Sequence, residues 1–163
     1  MINESLMPPT ARLFLGKYRG TVADNEDPRH QGRIRAFLPE VLGEVQTGWA
    51  LPCAPYGFFA IPARGKGVWI EFEAGHVSRP IWSGCWWSEG EAPGGGDPKR
   101  KVWRTDAGHT ITLDDDGETI EIADGNGAKV SLGSAGIKLE KGGGSVEVSD
   151  GVVKVNGGSL EVT

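Results

Sequence analysis

From Thr110 to Val162 the chain states one short pattern seven times. The units are Thr110-Ile-Thr-Leu113, Thr119-Ile-Glu-Ile122, Lys129-Val-Ser-Leu132, Gly136-Ile-Lys-Leu139, Ser145-Val-Glu-Val148, Val152-Val-Lys-Val155 and Ser159-Leu-Glu-Val162. Second and fourth positions are always apolar and the third always polar, which is the grammar of a strand with one apolar face. The leading apolar residues stand 9, 10, 7, 9, 7 and 7 positions apart. Turn formers fill the gaps: Asp114-Asp-Asp-Gly117, Asp124-Gly-Asn-Gly127, Gly142-Gly-Gly144, Asp150-Gly151 and Gly157-Gly158. Such short turns leave no room for a helix, so nothing in this segment can cover the apolar face.

A narrow sheet with one wet apolar face is not a stable object. A single-chain solenoid would use about three strands per coil and would reach only about two coils, below the roughly three repeats that such stacks need. In an intertwined trimer, three copies of the chain would each turn a strip inward to build a dry triangular core, with strand edges pairing between chains. The reading favoured is therefore a trimer whose core is Ile111, Leu113, Ile120, Ile122, Val130, Leu132, Ile137, Leu139, Val146, Val148, Val153, Val155, Leu160 and Val162. At ~4.8 Å per strand layer the prism would be about 35 Å long.

The first half has a different grammar. Segments 16–25 and 32–41 read as strands joined by Glu26-Asp-Pro-Arg-His-Gln31, and two more strands follow at 65–75 and 79–87. In the third of these, Val68, Ile70 and Phe72 alternate with Trp69, Glu71 and Glu73. About five strands in seventy residues suit a small closed barrel of the OB type, with a sandwich as the alternative. Residues 88–105 read as a linker, with Gly94-Gly-Gly96 ahead of the basic cluster Lys99-Arg-Lys101. That cluster is either a solvated turn or a contact for an acidic partner. With 26 glycines in 163 residues and no helical periodicity, the fold class is all-β.

The formal charge of −5 argues against nucleic-acid or anionic-lipid partners, which select basic surfaces. No apolar run approaches 18 residues, and no secretory leader is visible. Cys53 and Cys85 read as a reduced pair in a chain assembled in the cytoplasm. Five places invite sharper chemistry. His30 beside Glu26 and Asp27 reads as a polar turn. Asp114, Asp116 and Gly117 open like a calcium loop, but Gly125 stands where the closing carboxylate belongs. Cys53 and His76 have no orienting third group. The tryptophans could stack bases, yet they alternate into strand cores. His109 could meet an axial ion only if three copies converged there. No catalytic, cofactor or metal residue is assigned.

The stretches "GTVADNEDPRHQGRIRAFLPEV", "GWALPCAPYG", "GKGVWIEFEAGHVSRPIWSG" and "TDAGHTITLDDDG", followed by the repeat, resemble the spike protein of contractile injection machines. That family includes baseplate assembly protein V of contractile-tailed phages, the spike part of type VI secretion VgrG proteins, and spikes of related extracellular injection particles. The matching positions are Asp27-Pro28 and Gly32-Arg33 in the loop after the first strand, Gly67-Val68 and Phe72-Glu73 in the core strand, Arg79-Pro80 and Gly84 in the strand after it, and Thr105 with Gly108-His109 leading into the repeat. The resemblance implies an N-terminal arm (1–15), an OB-fold (16–87), the linker (88–105) and a trimeric β-helix (106–163).

It further implies a structural spike, not an enzyme, that docks on a trimeric baseplate or tube hub through the OB domain and meets the target envelope when the machine contracts. The stretch 88–105 is too short for the lysozyme domain that some relatives insert there. The three histidines, His30, His76 and His109, lie away from the C-terminus, so the iron-binding His-x-His apex of some phage spikes is not expected. A separate PAAR-type tip protein would instead add to the last strands, on Val155, Leu160, Val162 and Thr163. The expected setting is a phage tail or other injection particle. The alternatives are an OB-type nucleic-acid or ligand binder with an oligomerising tail, and an envelope-degrading enzyme.

Overall fold

The computed structural model describes residues 12–162. The chain divides between Ser88 and Glu89 into two compact units. Nearly all regular structure is β.

The first unit holds strands β1 (Tyr18–Asp24), β2 (Arg35–Phe37), β3 (Leu51–Pro52), β4 (Gly67–Phe72) and β5 (Pro80–Trp86), with one short helix, α1 (Pro39–Leu42). The sheet order is β2-β1-β4-β5-β3, antiparallel except for β3 against β5. Its two ends meet: Ile34 and Ala50 exchange backbone hydrogen bonds of 3.2 and 2.7 Å just before β2 and β3. The sheet thus curls into an OB-like barrel of five strands. Period-two alternation fills it. Val22, Ile34, Ala36, Leu38, Ala50, Val68, Ile70, Phe72 and Trp82 are buried and form one core. Gly67 has no room for a side chain, because a Cβ there would lie 2.5 Å from the indole of Trp86.

Of the expected N-terminal arm, residues 1–11 lie outside the described residues. The rest belongs to the barrel unit: Phe14 donates its N–H to Gly75 O at 2.9 Å and its ring meets Tyr18 and Phe72.

The second unit is a single antiparallel meander of eight strands, each paired with the next: β6 (Arg100–Arg104), β7 (Thr110–Asp114), β8 (Thr119–Ala123), β9 (Ala128–Gly133), β10 (Gly136–Lys141), β11 (Gly144–Ser149), β12 (Val152–Val155) and β13 (Leu160–Val162). Seven of these are the seven repeats. The eighth, β6, comes from the stretch read as linker, and the 3-10 turn Pro93–Gly96 precedes it. Consecutive repeats pair within the chain, so their ladder bonds need no second copy.

Candidate trimerisation face

Residues directly opposite one another in a ladder point to the same side of the sheet. Register therefore draws the apolar residues into two files. One runs Trp103, Ile111, Ile122, Val130, Leu139, Val146, Val155, Leu160. The other runs Lys101, Leu113, Ile120, Leu132, Ile137, Val148, Val153, Val162. All fourteen sequence-predicted core positions fall in these files, behind a leading pair, Trp103 and Lys101, that the repeat did not announce. The side chain of Val162 and all of Thr163 lie outside the described residues. In the single chain this face is open: Ile122 is 50 % exposed, Leu139 46 % and Leu160 59 %.

The opposite face carries Thr112, Glu121, Ser131, Lys138, Glu147 and Lys154 in one file. Long charged side chains lie down over it. Lys129 pairs with Glu121 at 3.3 Å and Glu140 at 3.6 Å, and Lys138 with Glu140 at 2.9 Å and Glu147 at 3.5 Å. Hydrogen bonding to Lys138 holds the Glu140 carboxyl below its ordinary pKa, and Glu121 raises the Lys129 ammonium. Glu121, Lys138 and Glu140 are half-buried while Ile120, Ile122, Ile137 and Leu139 beside them are exposed. One chain alone is inside out.

At the head of the face the basic cluster meets the acidic turn of its own chain. Lys99 pairs with Asp116 at 2.6 Å, Arg100 with Asp114 at 2.7 Å, and Lys101 with Asp115. Asp114 also accepts from the N–H groups of Gly117 and Asp116 at 3.0 and 3.1 Å, and the Gly117 bond leads the causes that hold its carboxyl below the usual range. The carboxylates that looked like a calcium loop are thus taken up by cations and turn amides. Nor is His109 free for an ion through Nδ1, which accepts from Gly125 N–H at 3.2 Å.

In the barrel unit Asp27 organises its loop. Oδ1 accepts from Arg29 N–H and the Arg33 guanidinium, and Oδ2 from the N–H groups of Gln31 and Arg33. The Arg33 bond leads the causes that hold the Asp27 carboxyl far below its ordinary value. This holds His30 in left-handed backbone, φ 52°, at an exposed tip. Cys53 and His76 belong to different connections; Cys53 N–H bonds Trp82 O beside β5, and His76 N–H bonds Glu73 O after β4.

The tryptophans are largely spoken for. Trp82 donates to Gly32 O from the core, Arg33 and Arg35 lie over Trp49, and Arg19 lies between Trp69 and Trp86. One constellation that sequence reasoning missed has a catalytic look: Lys17 donates to Ser83 Oγ at 2.7 Å and to Glu71, which also accepts from Ser83 at 2.5 Å. Glu71 is held below its ordinary pKa chiefly by Lys17, and both side chains lie at the surface, as a solvated ion pair does.

Two family models match. Residues 18–87 match the type VI secretion system/phage-baseplate injector OB domain. Residues 101–161 match the phage baseplate V C-terminal trimerisation domain. The chain belongs to the phage baseplate V family. Among curated proteins none matches it significantly. The trimerisation-domain match, 101–161, takes in β6 from Lys101 onward, Trp103, and both apolar files except Val162. Both matched families are structural baseplate domains rather than enzymes, and a baseplate V chain with this trimerisation domain is a component of a phage tail or injection particle.

Proposed function

We propose that this chain is the central spike of a contractile injection machine. Three copies turn their two apolar files inward, and the core comprises Trp103 and the fourteen residues from Ile111 to Val162. The OB unit docks on the trimeric hub of the tube, and the β-prism goes first into the target envelope. It acts by force and cleaves no bond in the target. Val155, Leu160, Val162 and Thr163 supply the surface that receives a PAAR-type tip protein by strand addition.

The observation that carries this reading is the inverted exposure of the second unit. A sheet whose charged side chains are tucked in and whose isoleucines and leucines are bare has its proper solvent on one side only. Burial of the bare side is worth roughly 1.5–3 kcal/mol for each large side chain, and a rotationally symmetric ring of three supplies it. A dry core stitched by continuous strand ladders resists bending, which a piercing device needs.

Mass by light scattering tests the assembly: three chains per particle supports the spike, and a well-folded monomer at micromolar concentration refutes it. Co-purification with the hub of the same particle tests docking. Clearing of peptidoglycan in a zymogram would instead favour an enzyme.

A further inference from the structure

The meander sorts its turns onto two lateral edges. The β6–β7, β8–β9, β10–β11 and β12–β13 turns share one edge, and the β7–β8, β9–β10 and β11–β12 turns share the other. The chemistry of the two edges differs. On the first, turn is tied to turn: Gly125 N–H donates to His109 Nδ1, Lys141 Nζ donates to Asn126 O at 2.7 Å, and Ser145 N–H donates to Asn156 Oδ1 at 3.0 Å. Arg104, at the end of β6, and Lys141 are exposed cations of this edge, the Lys141 side chain 58 % exposed and 3.9 Å from Asp124, and Asp106 in the β6–β7 turn is an exposed carboxylate of the same edge.

On the second edge Asp114, Asp115 and Asp116 have their cations, but Glu118 and Asp150 are exposed and, among the described residues, have no ion-pair partner in their own chain. Glu118 also sits in left-handed backbone, φ 49°, where glycine or asparagine would be at ease. A strained residue kept at an exposed turn points to work for its side chain.

We infer that these two edges are each other's partners between chains: the Lys141 edge of one copy docks on the Glu118 and Asp150 edge of the next. This rests on the trimer proposed above. Three identical chains around one axis cannot pair like edge with like edge and close, so each contact joins the first edge of one copy to the second edge of its neighbour. The charges favour that joining: the first edge sets the cations Arg104 and Lys141 beside the carboxylates Asp106 and Asp124, while the second carries Glu118 and Asp150 with no cation paired to them among the described residues. The contact is heterologous, ring-closing and handed, so it sets the sense in which the three sheets wrap.

Carbodiimide, which links an ammonium to a carboxylate already in contact, tests this on the intact protein. We expect covalent dimers and trimers on a denaturing gel, with the peptide of Lys141 joined to that of Glu118 or Asp150. Lys141→Arg keeps the charge but removes the reactive amine, and should cut that band at least about fivefold while light scattering still reports a trimer. Reversing both carboxylates, E118K with D150K, should weaken the trimer on dilution, and K141E added to that pair should restore it. A stable trimer whose Lys141 links only to Asp124, in the monomer band, overturns this inference and leaves the spike reading standing. A monomer by light scattering overturns both.

Discussion

Trp103 stands directly across the β6–β7 ladder from Ile111, at the head of an apolar file that runs through all seven repeats to Leu160. It is 55 % exposed in one chain. Trp103→Ala should therefore leave a single chain little changed and destabilise the assembly, by about 3–5 kcal/mol per indole if the trimer buries it fully. Thermal melting and light scattering on serial dilution read this. An unchanged trimer would place Trp103 outside the core.

Ile137 offers a harsher version of the same test. It is 42 % exposed in the lone sheet and lies between Leu132 and Val148 in its file. Ile137→Asp would set three carboxylates into a core built for aliphatic chains, each at a cost of several kcal/mol. The expected result is a monomeric or aggregated protein at concentrations where the parent is trimeric. The same substitution in one sheet with no partner would be nearly silent, so sedimentation distinguishes the two.

Gly67 answers to the barrel rather than to assembly. Trp86 lies over it and donates its indole N–H toward Gly20 O at 3.3 Å and Val68 O at 3.2 Å. Gly67→Ala should cost the barrel about 1–3 kcal/mol by overfilling and should shift tryptophan fluorescence as the ring is displaced. Trimer mass should not change.

Asp27 predicts the acid limb of barrel stability. Its carboxyl is held far below the ordinary value, chiefly by Arg33. A group depressed in the folded state adds stability above its unfolded pKa and loses it as pH falls through the folded one. The barrel melt should therefore drop progressively below about pH 4. Asp27→Asn should lower the melt near neutral pH and flatten that acid slope, and a slope unchanged by the substitution would assign the acid limb to other carboxylates.

Asp114 should govern the β7–β8 turn. Its Oδ1 accepts the amides of Asp116 and Gly117, and its Oδ2 accepts Arg100 Nε. In Asp114→Ala the amide protons of residues 116 and 117 should exchange with solvent markedly faster. Lys99→Ala and Lys101→Ala, which remove side chains more than half exposed, should each change stability by under about 1 kcal/mol. Hydrogen exchange followed by mass spectrometry compares all three.

How much of this the sequence carried differs between the units. The repeat was legible because every position of the two files from Ile111 onward is aliphatic and nearly every turn is rich in glycine, aspartate or asparagine, Ser134-Ala135 being the exception, so period and turn chemistry agreed. Strand β6 was not legible. In Arg100-Lys-Val-Trp-Arg104 the residues that join the apolar files are Lys101 and Trp103, while Val102 faces the other way and is covered by Gly94, where a Cβ would lie 2.8 Å from its Cγ2. The segment therefore lacks the apolar alternation, and only pairing with Thr110–Asp114 makes it a strand. In the barrel, Val68, Ile70 and Phe72 declared their face by alternation, but the closing bridge between Ile34 and Ala50 joins residues sixteen apart with no local signature.

Sequence alone settled that this is an all-β chain with a two-part grammar, and that its second half owns an apolar face with nothing beside it to cover that face. Those are matters of period and composition, which local residues fix. Tertiary structure decided which residues share a file, that the basic cluster serves the acidic turn of its own chain, and that Lys141 stands on one edge of the sheet with Glu118 and Asp150 on the other. These depend on register and on which side each turn falls, and register is set by pairing between strands, which no single strand contains.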